Sequence, residues 1–161
     1  MYVPEIRFCG PRDLPALIAL NAMSQSPWPE SIVEGDLREG SEAEISYLGA
    51  FSTAPSGELL GYAVLGREGR AGLLMSLLVH PDFRRLGIGV QLLAAVGDCA
   101  LYLNLGRLRL RVRRSNAAAL SLYEGMSFRR EATCPAYYAD GEDAIVMSAP
   151  LPLTMRKGVL K

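Results

Sequence analysis

The sequence predicts a mixed α/β fold: a mainly antiparallel central sheet flanked by helices, with one strand–helix–strand crossover. Three observations carry this. Residues 45–79 read as three strands separated by tight turns, which makes a meander. Ala71 to Arg113 reads strand, helix, strand, and such a unit needs a crossover with parallel or splayed strands. The chain has 161 residues, half of them hydrophobic and 21% charged, enough to bury one full core without disulfide or metal staples.

In chain order, Glu5 to Phe8 is a short strand and Gly10-Pro11-Arg12-Asp13 a turn. Asp13 is placed to N-cap a helix whose stripe is Leu14, Leu17, Ile18 and Met23, with Pro15 tolerated in its first turn. Ser26-Pro27-Trp28-Pro29 breaks that helix, and a second runs from Glu30 to Glu39, ended by Gly40. Ile45 to Ser52, Leu59 to Gly66 and Ala71 to Val79 form the meander, with turns at Pro55-Ser56-Gly57 and Gly69-Arg70. After the polar stretch His80 to Arg85, Gly87-Ile88-Gly89 opens a helix carrying Leu92, Leu93, Val96, Ala100 and Leu103, stopped near Gly106. Arg107 to Arg113 alternates Arg with Leu or Val, a strand with one buried face. Ser115-Asn116 caps a helix from Ala117 to Glu124; Phe128 to Cys134 and Ala144 to Ser148 are the last strands. One domain is expected over residues 1–150, followed by a basic, poorly ordered tail at 151–161.

Composition narrows the function. No apolar run approaches the roughly 20 residues that span a bilayer, and no basic leader with an apolar core opens the sequence. Cys9, Cys99 and Cys134 are odd in number and far apart, against a disulfide framework or zinc spacing, so a reducing, cytoplasmic setting is expected. The formal net charge of zero argues against charge-driven nucleic-acid binding. It conceals nine acids against three bases in residues 1–60, and eight against fourteen in 61–161. This is either ordinary surface charge that segregates or the mark of two partners of opposite sign.

The motif richest in chemistry is Arg84-Arg85-Leu86-Gly87-Ile88-Gly89, between a buried strand and a helix. Two glycines let a ligand approach the backbone, free N–H groups at the helix start point outward, the dipole favours negative charge, and two arginines add cationic donors. It has no Gly-Lys-Ser/Thr ending and no GxGxxG, so neither a nucleoside-triphosphate loop nor a dinucleotide site is expected.

The segment Val79-His80-Pro81-Asp82-Phe83-Arg84-Arg85-Leu86-Gly87-Ile88-Gly89 resembles the acetyl-CoA pyrophosphate loop of the GNAT superfamily of N-acetyltransferases. Leu110-Arg111-Val112-Arg113-Arg114-Ser115-Asn116-Ala117-Ala118-Ala119, followed by Leu122-Tyr123-Glu124, resembles a segment of protein N-terminal acetyltransferases, most of all the bacterial ribosomal-protein-alanine enzymes. Pro27-Trp28, Tyr137-Tyr138 and Glu142 to Met147 are similar to that group too, so the likeness spans nearly all of residues 5–150. It implies a GNAT fold with a splayed parallel strand pair at the acetyl-CoA site. It also implies direct acetyl transfer from acetyl-CoA to an amine, with no metal. The implied acceptor is a protein N-terminus; a small amine or a lysine side chain is the alternative. The implied assembly is a monomer or homodimer, without nucleic acid or membrane.

By the same resemblance, Leu77, Leu78 and Val79 pair through their backbone with the pantetheine arm. Arg84, Arg85, Leu86, Gly87, Ile88, Gly89 and Val90 hold the pyrophosphate, and Asn116 contacts the pantetheine end. Tyr123 is the general acid that returns a proton to the CoA thiolate, a task suited to a phenol of pKa near 10. Trp28 and Tyr138 line the acceptor groove. One residue departs from the pattern: Arg111 stands where those enzymes carry a glutamate base, and an arginine cannot accept a proton. A water chain, a carboxylate such as Glu44, Asp140, Glu142 or Asp143, or acyl-CoA binding with weak transfer are the three accounts of that departure. His80, just before Pro81, is the only histidine and a further candidate base.

Overall fold

The computed structural model describes residues 1–38, 44–53 and 55–156. Glu39 and Gly40, expected to close the second helix, lie outside them, as do residues 157–161 of the tail. The strands are β1 Glu5–Phe8, β2 Ser46–Phe51, β3 Leu59–Glu68, β4 Ala71–Val79, β5 Arg107–Arg113, β6 Arg129–Cys134 and β7 Ala144–Pro150. The helices are α1 Leu14–Asn21, α2 Glu30–Leu37, α3 Ile88–Tyr102 and α4 Ala117–Gly125. Strand order is β1-β2-β3-β4-β5-β7-β6. The pairings β1 with β2, β2 with β3, β5 with β7 and β6 with β7 are antiparallel, and β4 with β5 is parallel. The mixed sheet expected from the sequence is thus present, its crossover helix being α3.

The chain packs as two compact units, Met1–Gly66 with Ser76–Val96 and Arg67–Met75 with Gly97–Lys161. In the first, α1 and α2 bury Leu17, Leu20, Val33 and Leu37 with Tyr47, Tyr62 and Val64. Tyr47 stacks on Tyr62, takes the edge of Trp28 and donates to Asp36 at 2.8 Å. α1 ends at Asn21, so Met23 falls outside the helix and is half exposed; Leu20 takes the stripe position expected of it. Asp13 does not cap α1 with its side chain. A 3-10 turn, Pro11–Asp13, comes first, and the carboxylate reaches back to the Gly10 N–H at 2.8 Å and the Arg7 guanidinium at 3.1 Å. The Arg7 hydrogen bond, more than the others, holds Asp13 below the ordinary carboxylate range.

In the second unit, Leu108, Leu110 and Val112 of β5 are buried as the alternation requires. Residues 151–156 are not loose. Leu151 N–H donates to Gly106 O, Arg156 N–H to Gly125 O and Ser127 Oγ to Thr154 O, so the tail is docked as far as Arg156. Composition suggested disorder there because these partners are remote in sequence.

The C-terminal end of β4 depends on a close approach. A Cβ on Gly61 of β3 would lie 2.9 Å from Leu78 O and 3.3 Å from the Val79 Cα and Leu92 Cδ1. Two of those three neighbours are backbone and cannot swing aside. Gly61→Ala is therefore expected to cost about 1–3 kcal/mol by overpacking, read as a lower thermal midpoint; an unchanged midpoint would show that the strands part without strain.

Candidate active site

β4 ends in Leu77, Leu78 and Val79, all half-buried. His80 N–H still pairs with Leu60 O, and then the chain leaves the sheet. His80 Nδ1 accepts the Asp82 N–H at 3.1 Å, capping the 3-10 turn Pro81–Phe83, and the ring packs edge-on against Phe83. Arg84 curls back, its Nε donating to Val79 O at 3.3 Å, whereas Arg85 projects into solvent.

The backbone then takes two left-handed steps, Arg85 at φ +63° and Gly87 at φ +82°. Only the second is easy for its residue. Such steps turn successive N–H groups toward one side, and α3 begins at once at Ile88, adding N–H groups that have no intrahelical acceptor. A concave row of N–H donors on a helix start, with two guanidiniums beside it, is chemically fitted to a pyrophosphate.

In the second unit, Asn116 is the N-cap of α4, its Oδ1 accepting the Ala119 N–H at 3.1 Å. Tyr123 lies on the same helix, 7% exposed, its ring 5.7 Å from Phe128. Burial, with a smaller push from Tyr138, raises its pKa well above the usual phenol value. Among the described residues the hydroxyl makes no hydrogen bond, yet no fully buried side-chain polar atom lacks a partner. The hydroxyl therefore keeps its proton at neutral pH.

β5 presents the arginine face expected of it. Arg109 and Arg111 both hold Glu68, at 3.1 and 3.4 Å, and Arg111 lies over the Tyr137 ring. Arg113, buried, holds Asp140 at 2.8 Å and Glu142 at 2.9 Å with its guanidinium 4.1 Å from the centre of the Tyr138 ring. Glu142 also accepts the Ser115 N–H, and Asp143 accepts the Ala136 N–H. The β6–β7 loop that carries Tyr138 is thereby tied to the residue preceding Asn116. Of the four acids considered as substitute bases, Asp140, Glu142 and Asp143 are committed to these bonds, and Glu44 is exposed ahead of β2. Trp28 is fixed in the first unit by Asn21, whose amide both donates to Trp28 O and accepts Trp28 N–H. Sequence reasoning missed Glu68, Asn21 and the role of Arg113. The strict arginine alternation signalled only that some acid must neutralise that face.

The Acetyltransferase (GNAT) family matches residues 17–128, and the chain belongs to it. It is a GNAT N-acetyltransferase, of a family that uses acetyl-CoA. The ribosomal protein bS18-alanine N-acetyltransferase of Escherichia coli K12 is 32% identical over 145 residues, 88% of this chain and 93% of that protein. An N-alpha-acetyltransferase of Sulfurisphaera tokodaii is 41% identical over 83 residues, 51% of this chain, and the match spans only half of that relative's length. The crystal structure of the Escherichia coli ribosomal-protein-S18-alanine enzyme superposes with a TM-score of 0.79 at 28% identity, covering 96% of this chain and 98% of that one. The NatC complex bound to Gag peptide and CoA shares the fold, at TM-score 0.78 and 21% identity, covering 93% of this chain and 99% of that one.

Glu142 is held below the ordinary carboxylate range first by the Ser115 hydroxyl, then by Arg113 and the Ser115 N–H; Asp140 first by the Glu142 N–H and then by Arg113. Depressed acids contribute stability above their unfolded pKa and lose it as pH falls through the native value. Amide exchange in residues 136–143, taken relative to the intrinsic rate at each pH, is therefore expected to stay slow from pH 8 to about pH 4 and to quicken only below. Glu142→Gln should quicken it at neutral pH, in the loop and at Ser115 together. Exchange unaffected by both changes would show that Arg113 does not hold the loop.

Proposed function

We propose that this enzyme acetylates the N-terminal α-amine of a protein. The observation that carries the reading is the 32% identity to the bS18-alanine enzyme along nearly the whole of both chains. Acetyl-CoA supplies an activated acetyl thioester. Arg84 to Val90 hold its pyrophosphate through backbone N–H groups and the two guanidiniums, the Leu77–Val79 backbone aligns the pantetheine arm, and the Asn116 amide, whose N–H atoms are not used in capping, contacts the pantetheine end. Trp28 and Tyr138 flank the acceptor. The acceptor nitrogen attacks the carbonyl directly, a backbone N–H near Val79 polarises that carbonyl, and the Tyr123 hydroxyl gives its proton to the departing thiolate.

Arg111 supports the choice of acceptor. With a guanidinium in place of a carboxylate, and Glu68 ion-paired and held below the ordinary carboxylate range mainly by Arg109, this face offers the ammonium proton only a weakened base. The amine must lose its proton mainly to water before attack. An α-amine of pKa about 8 is neutral roughly two hundred times more often at pH 7.4 than a lysine of pKa about 10.4. The same feature that removes the base thus favours protein N-termini over lysine side chains.

The expected test result is acetylation of peptides with free Ala or Ser N-termini, and little of lysine in N-terminally blocked peptides. For the good acceptor, kcat/KM should rise with pH through a midpoint at about pH 8 and level off only above about pH 9, with no fall there because Tyr123 keeps its proton. Tyr123→Phe should lower kcat about 10- to 1000-fold with little change in the KM for acetyl-CoA. Preference for lysine would overturn the acceptor assignment, and wild-type kcat in Tyr123→Phe would reduce that residue to packing.

A further inference from the structure

We propose that Gln91 and the backbone N–H of Tyr2 are positioning groups for the anion cradle, an inference that rests on the cradle taking the acetyl-CoA pyrophosphate. The Tyr2 N–H donates to Leu86 O at 3.1 Å. The Gln91 side-chain amide donates to Tyr2 O at 2.7 Å and to Gly87 O at 3.1 Å, and the Gln91 backbone N–H also reaches Gly87 O. The Met1 side chain lies over Gly87, 3.1 Å from where a Cβ would stand. Residues 1 and 2 thus form a strap along one side of the Leu86–Gly87 turn, and Gln91 ties strap and turn together.

The consequence follows from the planar trans peptide, whose C=O and N–H point in opposite directions. Leu86 O is drawn to the strap, so the Gly87 N–H of the same peptide points away from it. Gly87 O is drawn to Gln91, so the Ile88 N–H is turned out of the helix start. Neither N–H has a hydrogen-bond acceptor among the described residues. Both belong to the row that the pyrophosphate would occupy. Without these bonds the left-handed turn at Gly87 is free to flip its peptides, and the donors must be ordered again each time a ligand binds. Gln91 and Tyr2 touch neither thioester nor acceptor, so they should affect cofactor capture and not the chemical step.

The test combines calorimetric titration of CoA with steady-state kinetics on Gln91→Ala, Gln91→Glu, Tyr2→Pro and Tyr2→Ala, each checked by thermal melt. Proline removes the Tyr2 N–H, whereas alanine keeps it and removes only the ring. Gln91→Ala and Tyr2→Pro should each weaken CoA and raise the acetyl-CoA KM about three- to tenfold, the range of one or two lost hydrogen bonds. The kcat at saturation and the acceptor KM should hold. Gln91→Glu should be at least as weak as Gln91→Ala, because its carboxylate faces two carbonyl oxygens, and Tyr2→Pro should be weaker than Tyr2→Ala. Folded Gln91→Ala and Gln91→Glu with wild-type CoA affinity would overturn the positioning role while leaving the cradle intact. A wild type that binds no CoA would overturn the cradle, and this inference with it.

Discussion

The turn from β4 into α3 is left-handed twice within three residues, and the cradle proposed for the cofactor depends on that constraint. An L-residue at φ +63°, as at Arg85, is held there only when its surroundings insist. Those surroundings are Arg84 folded back on Val79 O, the Tyr2 strap on Leu86 O, and Gln91 on Gly87 O. Upstream, Gly61 lets β3 close against Leu78 and Val79, which sets where the turn starts. Downstream, Ile88, Leu92 and Val96 bury the inward side of α3, which sets where its first N–H groups emerge.

The second unit is organised by charge. It carries twelve basic residues and seven acidic ones. Among the described residues, Glu68, Glu124, Glu131, Asp140, Glu142 and Asp143 are each held by an arginine. The basic excess seen in the sequence therefore serves its own fold before it serves any partner. Arg113 gains most from this, since it is buried and bridges the β6–β7 loop to the start of α4. Arg111 is likewise paired, with Glu68, so this sheet face carries it without an unpaired cation.

Local pattern made much of this legible. The Arg/Leu alternation of β5, the glycine-bounded start of α3 and the Ser-Asn cap of α4 are each written in fewer than eight consecutive residues, and the structure has them where the sequence put them. What the sequence hid depends on partners far apart in the chain. Glu68 meets Arg109 across 41 residues, Gln91 meets Tyr2 across 89, and the tail residue Arg156 meets Gly125. Asp13 was misread for a more local reason: a 3-10 turn ahead of α1 redirects its side chain from the helix it precedes to the turn it ends. Of the proposed site, the glycine-bounded turn was readable as a motif and Tyr123 was singled out by resemblance, whereas the ties around that turn were not legible.

The cradle's claim on the pyrophosphate is tested most directly by titrating the wild-type protein with CoA and with pantetheine, the same thiol arm without nucleotide or pyrophosphate. If the backbone donors from Arg85 to Val90 supply the binding energy, CoA binds at least a hundredfold more tightly, on the order of two or more charge-assisted hydrogen bonds. Equal affinity for the two would place the binding energy in the thiol arm and contradict the assignment of this turn.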